Sequence, residues 1–284
     1  MRLVKSYVPD GEWTLWVMGD WHIGNLTFHE DGLKEVRERI LEDKNSRVVL
    51  TGDLIEGITP DDKRFDYFSL DPKTPTPIAQ MKYAAKLAEP IAHLIAGVNR
   101  GNHEYKLQKY GDLVLEHFCI PLAVQDKYLG YSGKVSYYDS KGLVFKHYST
   151  HGKRKLSSAA KDPIQRQGNI SASAKNIMQR KFGDCLLMTR GHNHHLFYVE
   201  PIHELYLTDN GAKLKGRYFK SKPTADYIHP DHRWYGVAGS FFRTYGDVGT
   251  ENYAEMAEYD PLELGCLKYT IIDRTIVRAE RVVV

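Results

Sequence analysis

Five short polar clusters hold the side chains in this chain that could do chemistry together: Gly19-Asp20-Trp21-His22, Gly52-Asp53, Gly101-Asn102-His103-Glu104, His151-Gly152 and Gly191-His192-Asn193-His194. They offer carboxylate, imidazole and amide, and no thiolate. That donor set suits Mn, Fe, Zn or Ni. A glycine beside each cluster lets the backbone turn sharply and aim a ligand outward. Singly the clusters say little. An Asp-x-His is as common in a surface loop as in a ligand pair, a Gly-Asp is an ordinary turn, and a lone His151 is a satisfied strand-end histidine. Their joint occurrence, each directly after an apolar run, points to a metal site.

Such clusters need strands to position them. Residues 13–18 and 47–51 read as short buried strands. Between them Leu33, Val36 and Ile40 recur at helical spacing among Glu, Lys and Arg. That pattern predicts an amphipathic helix, and with it a β-α-β unit with parallel strands. A proline-bearing loop over 71–77 precedes a helix over 78–95, kinked or divided near Pro90. The apolar run 95–98 follows. Further strands are expected at 143–148, 185–189 and 196–200, with two more around Asp273-Arg274. Ligands of open α/β sheets bind outside the carboxyl ends of strands, so these ends could share one crevice. Residues 152–182 have no clean period. Phe241, Phe242 and Tyr245 are expected in the core, and residues 223–265 otherwise carry no functional signal. The expected organisation is one catalytic domain over 1–284, with a basic insertion at about 153–182 and a C-terminal extension at about 201–284.

Composition narrows the class. The chain has 284 residues, 42% hydrophobic and 26% charged, which excludes a disordered or collagen-like protein. A chain this long buries about three quarters of its unfolded surface and needs no disulfide or structural metal to fold. Cys119, Cys185 and Cys266 are odd in number and form no CxxC, which favours a reducing, cytoplasmic setting. The first apolar stretch is broken by Pro9-Asp10-Gly11-Glu12 and does not read as a signal peptide. No apolar run approaches the roughly 20 residues of a membrane span, so no membrane partner is expected. The net charge of +3 conceals two basic runs: residues 153–181 hold eight Lys/Arg and one acid, and 212–222 hold five and none. Tyr218 and Phe219 interleave with the second run. The bland reading is a solvated face; the alternative is a surface that attracts polyanions and stacks bases.

The ordered clusters, over residues 14–200, resemble the calcineurin-like metallophosphoesterase superfamily. The resemblance implies an α/β fold, a metallophosphoesterase β-sandwich flanked by helices (αββα), with its active site at the C-terminal ends of strands. It implies two divalent metal ions, Mn²⁺ foremost, with Fe, Zn, Ni or Mg as alternatives. By motif, Asp20, His22 and His194 would hold the first. Asn102, His151 and His192 would hold the second, and Asp53 would bridge both. His103 would be the catalytic histidine that is not a ligand. Glu56 follows Asp53 by three residues, where several relatives carry an acid, and is expected to orient His103. Paired cations make hydroxide available near neutral pH and neutralise phosphoryl charge. A bridging hydroxide would then attack phosphorus while His103 protonates the leaving oxygen. His147 shares a strand with His151 and is a rival ligand; Gly152 favours His151, as the family pattern requires.

The substrate is a phosphate ester, with more than one reading. A phosphodiesterase similar to the SbcD-like nucleases would use the basic runs on nucleic acid, with Lys153, Arg154 and Lys155 after His151 as substrate contacts. A phosphomonoesterase, acting on nucleotide or protein, is the alternative. Residues 100–104 resemble a motif of the protein Ser/Thr phosphatases, and Arg100 could meet the extra charge of a monoester. However, Gly52-Asp53-Leu54-Ile55-Glu56-Gly57 lacks the Asp-Arg-Gly of those phosphatases. A non-catalytic nucleic-acid-binding subunit is the third reading. Such subunits lose ligands, and here all eight expected positions are filled.

Overall fold

The first central strand is buried along its whole length, and the layers on its two faces follow from that. The computed structural model describes residues 1–43, 45–62, 65–219, 221–247 and 252–284. In chain order the strands are β1 (Arg2–Tyr7), β2 (Trp13–Met18), β3 (Ser46–Leu50), β4 (Ile95–Asn99), β5 (Tyr128–Gly130), β6 (Ser132–Asp139) and β7 (Gly142–Thr150). They continue as β8 (Leu187–Arg190), β9 (Leu196–Val199), β10 (Leu205–Asp209), β11 (Leu214–Tyr218), β12 (Trp234–Ala238), β13 (Gly265–Ile272) and β14 (Thr275–Val283). The helices are α1 (Glu30–Glu42), α2 (Pro77–Ala88), α3 (Asn102–Lys106), α4 (Pro163–Met178) and α5 (Tyr253–Met256).

Two six-stranded sheets result, ordered β14-β13-β2-β3-β4-β5 and β1-β6-β7-β8-β12-β9. Successive side chains of a strand face opposite ways. Trp16 and Met18 of β2 therefore join Leu33, Val36 and Ile40 of α1 and Met81 and Ala84 of α2. Leu15 and Val17 face the second sheet, where Val135, Tyr137, Phe145 and Leu187 meet them. Trp13 stacks on Phe145 with centroids 5.9 Å apart. On the outer face of the second sheet, Tyr148, Met188 and Tyr235 pack on Ala174 and Met178 of α4. The order of layers is helices, sheet, sheet, helix: an α/β sandwich of the αββα kind.

Strand direction places the chemistry. In the first sheet β2, β3 and β4 are parallel neighbours, and in the second β7, β8 and β12 are. Their carboxyl ends deliver Asp20, Asp53, Asn102, His151, His192 and Ser240.

Several expectations meet corrections. The helix over 78–95 is divided as foreseen: α2 stops at Ala88 and a 3₁₀ stretch, Glu89–Leu94, carries Pro90. The aperiodic segment 152–182 contains α4, capped by Asp162, which accepts from the Gln165 N–H, with Pro163 in its first turn. Only Ala174 and Met178 of that helix are buried, so an apolar stripe could not announce it. Residues 223–265 supply β12, a strand inside the second sheet. Phe241 and Phe242 are buried and Tyr245 is exposed. The basic run 212–222 falls partly on the hairpin β10–β11, with Tyr218 exposed. Phe219 is stacked on His232, centroids 4.7 Å apart, and is otherwise exposed. Lys220 of that run lies outside the described residues. The three cysteines are free and buried, and no helix among the described residues is long and apolar enough to cross a membrane.

His147 is not at the strand ends. Its ring is buried between the sheets, with Nε2 2.7 Å from Thr189 Oγ1 and Nδ1 3.3 Å from the Tyr137 hydroxyl. Burial pulls its pKa down from 6.5 to about 3. Below pH 6.5 the unfolded chain then binds a proton that the folded chain refuses, so stability falls as pH drops toward 3. At pH 4.5 this costs on the order of 2 to 3 kcal/mol, about two pKa units of differential protonation. We expect His147→Gln to be less stable at pH 7 but to lose about 2 kcal/mol less than the parent between pH 7 and 4.5. Urea unfolding in EDTA measures this, and identical pH slopes would refute it.

Candidate metal centre

Local backbone geometry singles out the site. Non-glycine residues rarely adopt positive φ. Here Asp20 (51°), His22 (54°), Asp53 (49°), His192 (74°) and His194 (57°) all do, and they are five of the nine such positions among the described residues. Held left-handed turns of this kind concentrate at functional sites. Each follows a parallel strand end, so the sheets hold the turns in place.

The donor atoms of these turns converge. One each from Asp20, His22 and His194 lie within 4.8 Å of one another, and so do one each from Asp53, His151 and His192. A third such group joins His22, Asp53 and His103. Asp53 Oδ1 accepts from the His103 N–H at 2.9 Å, which leaves Oδ2 facing His151 Nε2 at 3.1 Å. Asn102 Oδ1 lies 2.9 Å from the same nitrogen. Asp20 accepts from the His192 N–H at 3.0 and 3.1 Å and has Oδ1 3.5 Å from His194 Nε2. His22 Nε2 faces His194 Nε2 at 3.1 Å.

Ring tautomers follow from partners that can only accept. His151 Nδ1 donates to the Thr51 carbonyl at 2.9 Å, so Nε2 is the nitrogen turned to the centre. His22 Nδ1 donates to Glu56 Oε2 at 2.8 Å, and His103 Nδ1 donates to the Glu56 carbonyl. Glu56 was expected to orient His103 with its carboxylate. Instead the side chain holds His22, with Oε1 3.9 Å from His103 Nδ1; the main chain of Glu56 fixes His103. The side chain of a residue three places after Asp53 reaches past the turn, and sequence spacing alone could not choose between the two rings.

Charge in this buried cluster is in conflict. Burial, with the charge of Asp53 behind it, pushes Asp20 up to about 7. His151 is held up at about 9: burial opposes this, and the adjacent Asp53 carboxylate outweighs it. Burial pulls His192 down to about 4, with His151 adding to it. Lone pairs and carboxylates thus face a common centre with protons as their only positive charge. A divalent cation satisfies such a set better than protons do, and displaces them on binding. The donor set of oxygen and imidazole fits.

Residues without a sequence-level assignment complete the site. Glu104 is buried and ties two turns together: Oε1 accepts from Leu54 and Ile55 N–H at 2.6 and 3.3 Å, and Oε2 from Gly101 and Asp53 N–H at 2.7 and 3.1 Å. Gly101 has to be glycine, because a Cβ there would stand 2.0 Å from Asp53 Oδ1. Past β12, Ser240 Oγ–H donates to the Asp20 carbonyl at 2.9 Å. Phe242 covers His22 and His194, centroids 5.0 and 5.7 Å away. The apolar run 234–238 followed by Gly239-Ser240 repeats the pattern of the five clusters, and was the signal available for this sixth strand end.

The model of the calcineurin-like phosphoesterase family matches residues 14–214. The chain belongs to the calcineurin-like phosphoesterase family. It is accordingly a metal-dependent phosphoric ester hydrolase, of a family that binds divalent metals. A comparison with curated proteins returned no match. Among solved structures, a predicted phosphoesterase from Streptococcus pneumoniae TIGR4 is 15% identical, with 92% of this chain and 84% of that one covered and a TM-score of 0.32. A metallophosphoesterase from Sphaerobacter thermophilus is 11% identical over 95% and 88%, with a TM-score of 0.37. A calcineurin-like phosphoesterase from Bacillus subtilis is 10% identical over 97% and 91%, with a TM-score of 0.36. These likenesses are too distant to bear on activity.

Around the centre of this calcineurin-like phosphoesterase, the expected substrate contacts divide. Arg100 is drawn to Asp112, with Nη1 3.5 Å from Oδ2, and its guanidinium lies 5.0 Å from the Tyr105 ring centroid. Tyr131 bridges from Tyr105 to His151, with centroids 5.9 Å apart on each side. Arg100 thus stands behind aromatic rings. Lys153, Arg154 and Lys155 are exposed. Lys153 and Arg154 line a cavity of about 260 Å³ beside Gly152, and Lys155 Nζ lies 5.9 Å from the Tyr259 ring centroid.

Proposed function

We propose that this chain is a phosphodiesterase that hydrolyses nucleic acid, using two divalent cations, Mn²⁺ foremost. Asp20, His22 and His194 would hold one, Asn102, His151 and His192 the other, and Asp53 both. The observation that carries this reading is that Asp53 shares one donor group with His151 and His192 and another with His22, which in turn shares a group with Asp20 and His194. When bound, such cations supply an activated water and neutralise charge on phosphoryl oxygens.

The protein's own residues do the rest. Asp53 keeps one oxygen on the His103 N–H and turns the other inward, so its position is set by a backbone it cannot leave. Glu56 and the Thr51 carbonyl fix His22 and His151 so that each presents Nε2. His103 is pinned at Nδ1 by the Glu56 carbonyl, so Nε2 is the nitrogen turned to the centre, and only the imidazolium form would carry there a proton for a leaving oxygen. Phe242 excludes water from one side of the imidazole pair. Arg100 favours a diester over a monoester: the arginine available for a monoester's extra charge is engaged with Asp112 and Tyr105.

EDTA is expected to abolish hydrolysis of bis(p-nitrophenyl) phosphate and Mn²⁺ to restore it. Metal-loaded protein that cleaves only p-nitrophenyl phosphate would defeat the diesterase reading. A comparison of single-stranded DNA, duplex DNA and RNA under the same Mn²⁺ condition identifies the polymer.

A further inference from the structure

Arg190 ends β8, one residue before the Gly191-His192 turn. Its side chain is 1% exposed. Nη2 donates to the Arg154 carbonyl at 2.7 Å. Nε and Nη1 have no hydrogen-bond partner among the described residues. A buried, charged group with free donors is rare and calls for an explanation. Arg190 lines the 260 Å³ cavity together with Lys153, Arg154 and Lys181, and no acidic side chain lines it, while the unpartnered Nε and Nη1 of Arg190 are shielded from solvent. None of these four cations is ion-paired among the described residues. Gly152 forms the wall between this cavity and His151. A Cβ at Gly152 would come 2.6 Å from Arg190 Nη2, so the glycine is what gives the guanidinium its place.

A second cavity, of about 470 Å³, continues from the first: Arg154 and Ile177 line both. It adds Lys155 and, along α4, Asn169 and Asn176, again without an acid. Free guanidinium N–H donors match phosphate oxygens in geometry and charge.

We propose that the Arg190 cavity binds the phosphate next to the scissile one in a nucleic-acid strand, and that the strand continues along α4 through the second cavity. This rests on the phosphodiesterase reading and gives it a direction: one flank of the substrate is gripped beside Gly152 while the other leaves past the opposite side of the centre. It also gives the basic insertion, otherwise a solvated face, a polyanion to meet.

The test is fluorescence anisotropy of a labelled ten-residue oligothymidylate on the 284-residue chain in EDTA, where no strand is cut. Arg190→Gln is expected to weaken binding about tenfold or more and Lys181→Ala about three- to tenfold, since each removes a charge-assisted contact. Each change should also lower the slope of log affinity against log salt by about 0.7. Circular dichroism melting verifies folding. Should Arg190→Gln not fold, Arg190→Lys, which keeps the charge, and Lys181→Ala, on the exposed rim, decide. Unchanged affinity and slope in Lys181→Ala and the Arg190 variants overturn the proposal. So does ADP competing with the strand as well as an unlabelled oligonucleotide does, because the cavity is then a mononucleotide site. Hydrolysis of bis(p-nitrophenyl) phosphate, which has no second phosphate, runs in parallel on the metal-loaded parent. A parent that cleaves this ester yet shows no variant effect on the strand loses the cavity only; a parent that binds the strand but cleaves no diester loses the diesterase reading.

Discussion

Asp53→Ala is expected to leave the purified protein without bound metal, whereas His103→Ala keeps its metal and loses turnover. The reason is position. Asp53 Oδ2 stands 3.1 Å from His151 Nε2, and Asp53 belongs to two of the three donor groups. On the proposed two-cation reading its removal would take one ligand from each ion, so both affinities would fall and activity with them, by about 10³-fold or more. His103 is pinned at Nδ1 by the Glu56 carbonyl and has Nε2 4.0 Å from Asp53 Oδ2. Its loss removes proton transfer, a factor of about 10² to 10⁴, and spares the donor groups that contain Asp20, His22, Asp53, His151, His192 and His194. Inductively coupled plasma mass spectrometry and turnover of an aryl diester, on the same samples, measure both. Equal metal loss in the two variants would end the division of roles.

The second large effect is at Glu104. Its carboxylate accepts four backbone N–H bonds, from Gly101, Asp53, Leu54 and Ile55. Glu104→Gln keeps the shape but turns one oxygen into an amide that can only donate. Two buried N–H groups then lose their acceptor, and each such loss costs about 1.5–3 kcal/mol where the bond was to a charge. A total of about 3–6 kcal/mol lowers the melting temperature by about 6–24 °C at this chain size. The Asp53 turn moves with it, so metal content should drop as well, though Glu104 holds no place among the candidate ligands. A variant with parental melting temperature and metal content would show that the four bonds do not set the turn.

Much of this was legible in the sequence because it is local. An apolar run, a glycine and a ligand-type residue recur in Trp13–Met18 before Asp20 and Ser46–Leu50 before Asp53, and that recurrence carried both the strand ends and the candidate ligands. The β-α-β unit was equally open, since Leu33, Val36 and Ile40 mark the buried side of α1. What the sequence concealed depends on contacts distant along the chain. Helix α4 buries too little to show a period. Strand β12 shows its place only when paired between β8 and β9. Glu56 serves His22 through its carboxylate and His103 through its carbonyl, a difference visible only in three dimensions. Glu104 sat in a motif already noticed, but four backbone partners cannot be read from one letter. The free guanidinium of Arg190 was hidden in the same way, as an ordinary polar residue at a strand terminus.

The donor groups draw on both leaves of the sandwich: Asp20, His22 and Asp53 come from turns after β2 and β3, His192 and His194 from the turn after β8. A cation held by such a set acts as a rivet. The leaves cannot shear past one another without pulling ligands off it, and a ligand that binds only the assembled form favours that form by mass action. On the proposed metal-bound reading, catalytic readiness and the alignment of the two leaves would be coupled through that cation.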